Sequence, residues 1–106
     1  MIKEITAADY AAIDKAGAYL LEFYSKTCGP CKMLSFVLRD VDREEPDFPI
    51  YTIDFNENKE LKETLGVNGF PCMLFMRDGH EVNRIEGLKQ KPVIVAAIAA
   101  LREQAG

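Results

Sequence analysis

Two cysteines lie three positions apart in the segment Cys28-Gly29-Pro30-Cys31, a spacing that suits either disulfide exchange or metal binding. The segment follows a nearly continuous apolar run and precedes apolar residues at helical spacing, so it is predicted at the start of a helix. Unpaired backbone N–H groups and the helix dipole favour a thiolate there. We therefore expect Cys28 to have a lowered pKa and act as the nucleophile. Pro30 stiffens the turn, and Cys31 is the predicted resolving thiol.

A metal site is the alternative for the same pair of cysteines. A tetrahedral site needs four ligands, and Cys72 and His80 are the nominal third and fourth. These two residues are predicted at opposite ends of one strand and turn, and the extended segment 72–76 alone spans about 15 Å. Redox chemistry is therefore favoured, and no metal is expected. An iron–sulfur cluster shared between two chains stays as a minor alternative.

The elements that must position the pair are predicted from periodicity, capping residues and turn residues. A strand–helix alternation that ends in a hairpin and a helix predicts an α/β fold, with a mixed five-stranded sheet and four helices on both faces. Thr6 is the expected N-cap of the first helix, and Asp78-Gly79 is the expected hairpin turn. The predicted elements are strand 1–5, helix 7–17, strand 18–24, helix 30–45, strand 49–55, helix 58–65, strand 72–76, strand 80–85 and a helix from residue 92.

Length and charge limit the functional classes. The chain has 106 residues and a net charge of −4, so we expect one domain over residues 1–106. The acidic balance argues against nucleic acid or an anionic membrane as the main partner. The longest apolar run, residues 93–101, is too short to span a membrane, and the N-terminus lacks the pattern of a signal peptide. A soluble cytoplasmic protein is expected.

Further motifs add to the cysteine pair and together resemble the thioredoxin family over essentially the whole chain. The resemblance implies the thioredoxin fold and a dithiol–disulfide oxidoreductase that reduces protein disulfides, with no cofactor beyond the Cys28–Cys31 redox pair. It also implies an upstream reductase similar to thioredoxin reductase. A single accessible patch around Cys28 is compatible with a monomer or weak dimer. The motifs are Cys28-Gly29-Pro30-Cys31-Lys32, Val67-x-Gly69-x-Pro71, Phe75-x-x-x-Gly79 and Gly87.

The same resemblance implies a substrate groove beside the cysteines. Pro71 matches the family's cis-proline, and the backbone of Phe70 matches the residue that pairs with the substrate chain in strand-like fashion. The expected groove residues are Thr27, Gly29, Pro30, Phe70 and Pro71.

Glu22 is the one charged residue in the strand 18–24, whose other residues predict a buried strand. A carboxylate there needs a partner or a raised pKa. It lies six residues before Cys28 and matches the family's buried acid, so we expect it to take the proton from Cys31 during resolution. The alternative is that Glu22 reaches solvent at the strand end.

Three positions depart from the family pattern. Thr27 replaces a Trp, Ile50 replaces a Lys that is common near the buried acid, and Cys72 replaces a Thr. These changes put the substrate range and recognition by a standard reductase in question. Thr27 and Ile50 favour one alternative, a reductase specialised for one partner. A separate alternative is a non-catalytic module whose same surface binds a partner strand. Cys72 itself is either a small buried strand residue or a third redox thiol that could pair with Cys31 or join a cluster.

Overall fold

The computed structural model describes residues 1–103. Strands and helices alternate before a final hairpin and helix, in the predicted order. The elements are β1 (Ile2–Glu4), α1 (Ala7–Ala12), β2 (Ala18–Tyr24), α2 (Gly29–Glu44), β3 (Ile50–Asp54), α3 (Lys59–Thr64), β4 (Cys72–Arg77), β5 (His80–Glu86) and α4 (Lys91–Glu103).

The five strands form one mixed sheet in the order β1-β3-β2-β4-β5. β3 pairs in parallel with both β1 and β2, whereas β4 is antiparallel to β2 and β5 is antiparallel to β4. β2 is therefore the central strand, covered on both faces, which explains its nearly continuous apolar sequence. The predicted fold class is confirmed.

Each face of the sheet has its own hydrophobic core. Side chains of α2 and α4 pack on one face, where Leu20 and Ile50 are fully buried. α1 and α3 cover the other face, where Leu21 and Phe23 are fully buried. Because successive strand residues point to opposite faces, Glu22 lies on the α2 face.

The first helix is shorter than predicted. It begins at Ala7 as expected, with the Thr6 hydroxyl accepting a hydrogen bond from the Asp9 N–H and the Asp9 carboxylate accepting one from the Thr6 N–H. It ends at Ala12 rather than near Gly17, because Asp14 turns the chain by accepting a hydrogen bond from the Ala16 N–H.

Gly17 has a φ of +81° and exchanges two hydrogen bonds with Asp78, which fixes this turn to the β4–β5 hairpin. The hairpin turn itself agrees with the sequence, since Asp78 and Gly79 both have positive φ. Within residues 1–103, no helix is long and apolar enough to cross a membrane.

Candidate active site

The loop between β2 and the first cysteine is fixed by a buried polar network. The Asp54 carboxylate, 3% exposed, accepts hydrogen bonds from the Asn56 and Glu57 N–H groups. The Asn56 side-chain amide then donates to the Ser25 hydroxyl at 3.1 Å, and the Cys28 N–H donates to the Ser25 carbonyl at 3.3 Å. The end of β3 thus holds the backbone that presents Cys28.

Cys28 and Cys31 form a disulfide at the start of α2, with their Cα atoms 5.2 Å apart. Cys28 is the N-cap residue, and its Sγ accepts a hydrogen bond from the Cys31 N–H at 3.1 Å. Pro30 occupies the first turn, where a missing N–H costs no helical hydrogen bond. Cys28 is partly exposed, whereas Cys31 is buried. An incoming group therefore reaches the first sulfur before the second.

The Phe70–Pro71 peptide bond is cis, as the resemblance implied. Pro71 directly precedes β4, and Cys72 pairs with Phe23 near the end of β2. Pro71 therefore lies at the end of the central strands from which the cysteine loop departs. Pro71 is buried, and its carbonyl accepts a hydrogen bond from the Gly87 N–H.

Phe70, the residue before the cis bond, is 41% exposed. Its ring packs edge-on against Phe55, with the ring centroids 5.1 Å apart. Thr27 is exposed beside the cysteine, and its hydroxyl lies 3.4 Å from the Ser25 hydroxyl. Phe70 therefore provides an exposed aromatic ring at this end of the strands, where the family pattern has a Trp beside the first cysteine.

Glu22 is buried on the α2 face and only 3% exposed, so the alternative in which its carboxylate reaches solvent is wrong. Its Oε2 has no hydrogen-bond partner among residues 1–103. Burial raises the pKa of Glu22 to about 8, because a charged carboxylate is poorly solvated there. Ile50, at the position of the family's Lys, is fully buried among apolar side chains.

Glu22 and both cysteines line one cavity of about 370 Å³. The structure therefore brings the predicted proton acceptor and the predicted redox pair together. Sequence reasoning missed Glu4 of β1 and Thr52 of β3, because their position beside Glu22 depends on strand register. The remaining lining residues are Ile2, Glu4, Tyr24, Ser25, Lys26, Lys32, Ser35, Leu38, Arg39 and Thr52.

Cys72 does not share this cavity. It is 3% exposed and packs in the core on the face opposite α2. Burial raises the pKa of its thiol to about 11. His80 is exposed beside the hairpin turn, and residues 1–103 contain no group of three or more His, Cys, Asp or Glu side chains that could hold a metal ion. This arrangement favours the prediction of Cys72 as a small buried strand residue.

Comparison with known proteins decides the family. The thioredoxin family model matches residues 2–100. The chain belongs to the thioredoxin family. Among curated relatives, thioredoxin from Chlamydia pneumoniae is 34% identical over 98 residues, covering 92% of this chain and 96% of that protein. Thioredoxin from Bacillus subtilis is 35% identical over 94 residues, covering 88% and 90%.

Solved structures agree with this assignment. A mutant thioredoxin from Halobacterium salinarum superposes with a TM-score of 0.87 at 26% identity, covering 99% of this chain and 94% of that one. Together with the close cysteine pair, these relatives show that the protein is a thiol–disulfide oxidoreductase, a thioredoxin-like protein-disulfide reductase. Thioredoxins act on disulfide-containing proteins, are reduced by thioredoxin reductase and need no cofactor. The cluster-binding and non-catalytic alternatives are not favoured.

Proposed function

We propose that Cys28 attacks the substrate disulfide and that Cys31 resolves the mixed disulfide. The observation that carries this assignment is the asymmetry of the pair: Cys28 is partly exposed at the N-cap of α2, and Cys31 is buried one turn inside. The Cys31 N–H, 3.1 Å from Cys28 Sγ, supports a thiolate on the first sulfur in the reduced protein.

We assign the base of the resolving step to Glu22. It lines the same cavity as Cys31, and its buried Oε2 has no hydrogen-bond partner among residues 1–103. As Cys31 Sγ bonds to Cys28 Sγ, the bond from Cys28 to the substrate sulfur breaks. The Cys31 proton passes to the Glu22 carboxylate, and the substrate sulfur leaves as a thiolate. The cysteine pair loses two electrons and the substrate disulfide gains them.

The substrate groove is assigned to the surface around the cis-proline. The exposed Phe70, supported by Phe55, provides an apolar contact at this edge of the sheet. Its backbone is proposed to pair with an extended substrate segment. The other proposed groove residues are Thr27, Gly29, Pro30 and Pro71.

The proposed physiological direction is electron transport from a thioredoxin-reductase-like enzyme to disulfides of other proteins, as part of cellular redox homeostasis. Reduction of disulfides belongs in a reducing compartment, so a cytoplasmic location is proposed. The unit of function is one domain over residues 1–106, acting as a monomer or weak dimer.

Trapping of the mixed disulfide tests which cysteine attacks the substrate and which one resolves the intermediate. Reduced Cys31→Ser is mixed with a protein that contains one accessible disulfide, and the products are identified by intact mass. We expect a stable mixed disulfide through Cys28, because the resolving thiol is absent. The matched variant Cys28→Ser should trap nothing. A mixed disulfide through Cys31 in Cys28→Ser, at a similar rate, would reverse the assignment.

A further inference from the structure

The cavity beside the cysteines is lined by two carboxyl groups, Glu22 and Glu4, which lie in the same row across the sheet. Glu4 of β1 and Glu22 of β2 both pair in register with Thr52 of the intervening strand β3. Residues paired in this way present their side chains on the same face of the sheet. Neighbouring strands are about 4.8 Å apart, so the two backbones are separated by roughly 10 Å across the row.

Glu4 differs from Glu22 in exposure and in partners. Glu22 is buried, whereas Glu4 is exposed at the rim of the same cavity. The Tyr24 hydroxyl donates a hydrogen bond to Glu4 Oε2 at 2.7 Å. Burial, followed by the hydrogen bond to Glu4, raises the pKa of Tyr24, so the phenol keeps its proton and stays a donor. Tyr24 therefore fixes an exposed carboxyl group beside the space that Glu22 faces.

The reaction requires protons to cross this space. Burial raises the pKa of Glu22 to about 8, so at neutral pH the group is mostly protonated before the resolving step. It must release that proton before it can accept one from Cys31. The cavity, at about 370 Å³, has room for several water molecules between Glu22 and the rim.

We infer that Glu4, held by Tyr24, receives the proton that leaves Glu22 and passes it to solvent. This inference rests on the proposed role of Glu22. The proton moves from the Glu22 carboxyl group through cavity water to the Glu4 carboxylate and then to bulk water. Glu22 then takes the Cys31 proton as described above. Glu4 is a relay residue that touches neither the substrate nor the sulfurs.

Other charged and titratable groups face the same cavity. α2 contributes cations at its rim, and the loop before Cys28 contributes one more. None of these cations makes an ion pair with Glu22 within residues 1–103. Besides the two glutamates, the groups are Tyr24, Lys26, Cys28, Cys31, Lys32 and Arg39.

The test follows the two chemical steps separately. Reduced protein is mixed with a small aromatic disulfide, quenched with acid at intervals and analysed by intact mass, which gives the rate at which the mixed disulfide forms and the rate at which it is resolved. In Glu4→Gln, we expect resolution at pH 6.5 to slow about tenfold, a modest share of what a proton-transfer group contributes. Formation should be unchanged, and the difference should vanish above pH 9, where Glu22 is already ionised.

Conservative and rescue experiments separate proton transfer from other effects. Glu4→Asp should retain most of the rate, and added formate, a small carboxylate able to enter the cavity, should restore the rate of Glu4→Gln. Tyr24→Phe should slow resolution by less than Glu4→Gln, since the carboxylate is kept but no longer held. The control Glu60→Gln removes an exposed acid on α3, on the opposite face, and should behave as wild type.

Three results would overturn the inference. If Glu4→Gln resolves the mixed disulfide at the wild-type rate while Glu22→Gln resolves it slowly, Glu4 is not a relay and the role of Glu22 stands. Faster resolution in Glu4→Gln would mean that Glu4 acts only through its negative charge on Glu22. A wild-type rate in Glu22→Gln would remove both the proposed base and the relay that depends on it.

Discussion

At the scale of single residues, the carboxyl group of Glu22 opposes folding whenever it ionises. The side chain is 3% exposed, and burial raises its pKa to about 8 from an ordinary value of 4.5. Below pH 4.5 the group is neutral in both the folded and the unfolded chain. Between pH 4.5 and 8 the unfolded chain loses the proton first, so the contribution of Glu22 to stability falls as the pH rises.

We therefore predict that Glu22→Gln is more stable than wild type at neutral pH. The neutral amide avoids the ionisation cost, which amounts to roughly 3 kcal/mol at pH 7 for a pKa moved from 4.5 to about 8. The difference in unfolding free energy should be smallest near pH 4, grow through neutral pH and level off above pH 8. Urea unfolding at several pH values measures it.

Glu60→Gln, which alters an exposed carboxyl group, is the matched control and should show no such pH dependence. A constant difference between Glu22→Gln and wild type from pH 4 to 9 would mean that Glu22 titrates normally in the folded protein. The same variant should resolve mixed disulfides slowly, because the residue that lowers stability is also the proposed base of the resolving step.

At the scale of elements, the order of strands and helices could be read from the sequence, because apolar periodicity, Thr6 and Asp78-Gly79 act locally. The early end of α1 could not, since it depends on a turn that hydrogen-bonds to the distant β4–β5 hairpin. The cysteine pair and Glu22 could be found from residue type and spacing. Glu4 could not be placed beside Glu22 because the register of β1 on β3 is a property of the folded sheet.

The connection from β3 to the cysteine loop leads to a prediction about Asp54. Its carboxylate is buried and accepts two backbone hydrogen bonds, and it lies 3.6 Å from the Lys26 ammonium. Asp54→Ala would leave those N–H groups unpaired and should lower the unfolding free energy by about 1–3 kcal/mol. Asn56 of the same turn donates a hydrogen bond to Ser25. Asp54→Ala should therefore also slow the attack of Cys28 on a disulfide.

Thermal unfolding and the rate of mixed-disulfide formation measure the two effects. Asp47→Ala, at an exposed acid beyond the opposite end of β3, is the control and should change neither. Loss of stability in Asp54→Ala with an unchanged rate of formation would show that the network supports the fold without setting the reactivity of Cys28.

At the scale of the whole molecule, the sheet places Cys72 on the opposite face from Cys28 and Cys31. Cys28 and Cys31 line a cavity on the α2 face, whereas Cys72 packs in the core of the opposite face. Burial raises the pKa of Cys72 to about 11, and the thiolate is the reactive form of a cysteine. We therefore expect Cys72 to take no part in the thiol exchange.

A redox titration with thiol counting tests this separation. The protein is equilibrated at a series of potentials, alkylated without denaturation, then unfolded and alkylated with a second reagent of different mass. We expect one two-electron step, at a reducing midpoint, that protects Cys28 and Cys31 together. Cys72 should take only the second reagent at every potential, because burial blocks its alkylation in the folded protein. A step that consumes Cys72, or its modification before unfolding, would show that the sheet does not isolate this thiol and would restore it as a third redox position.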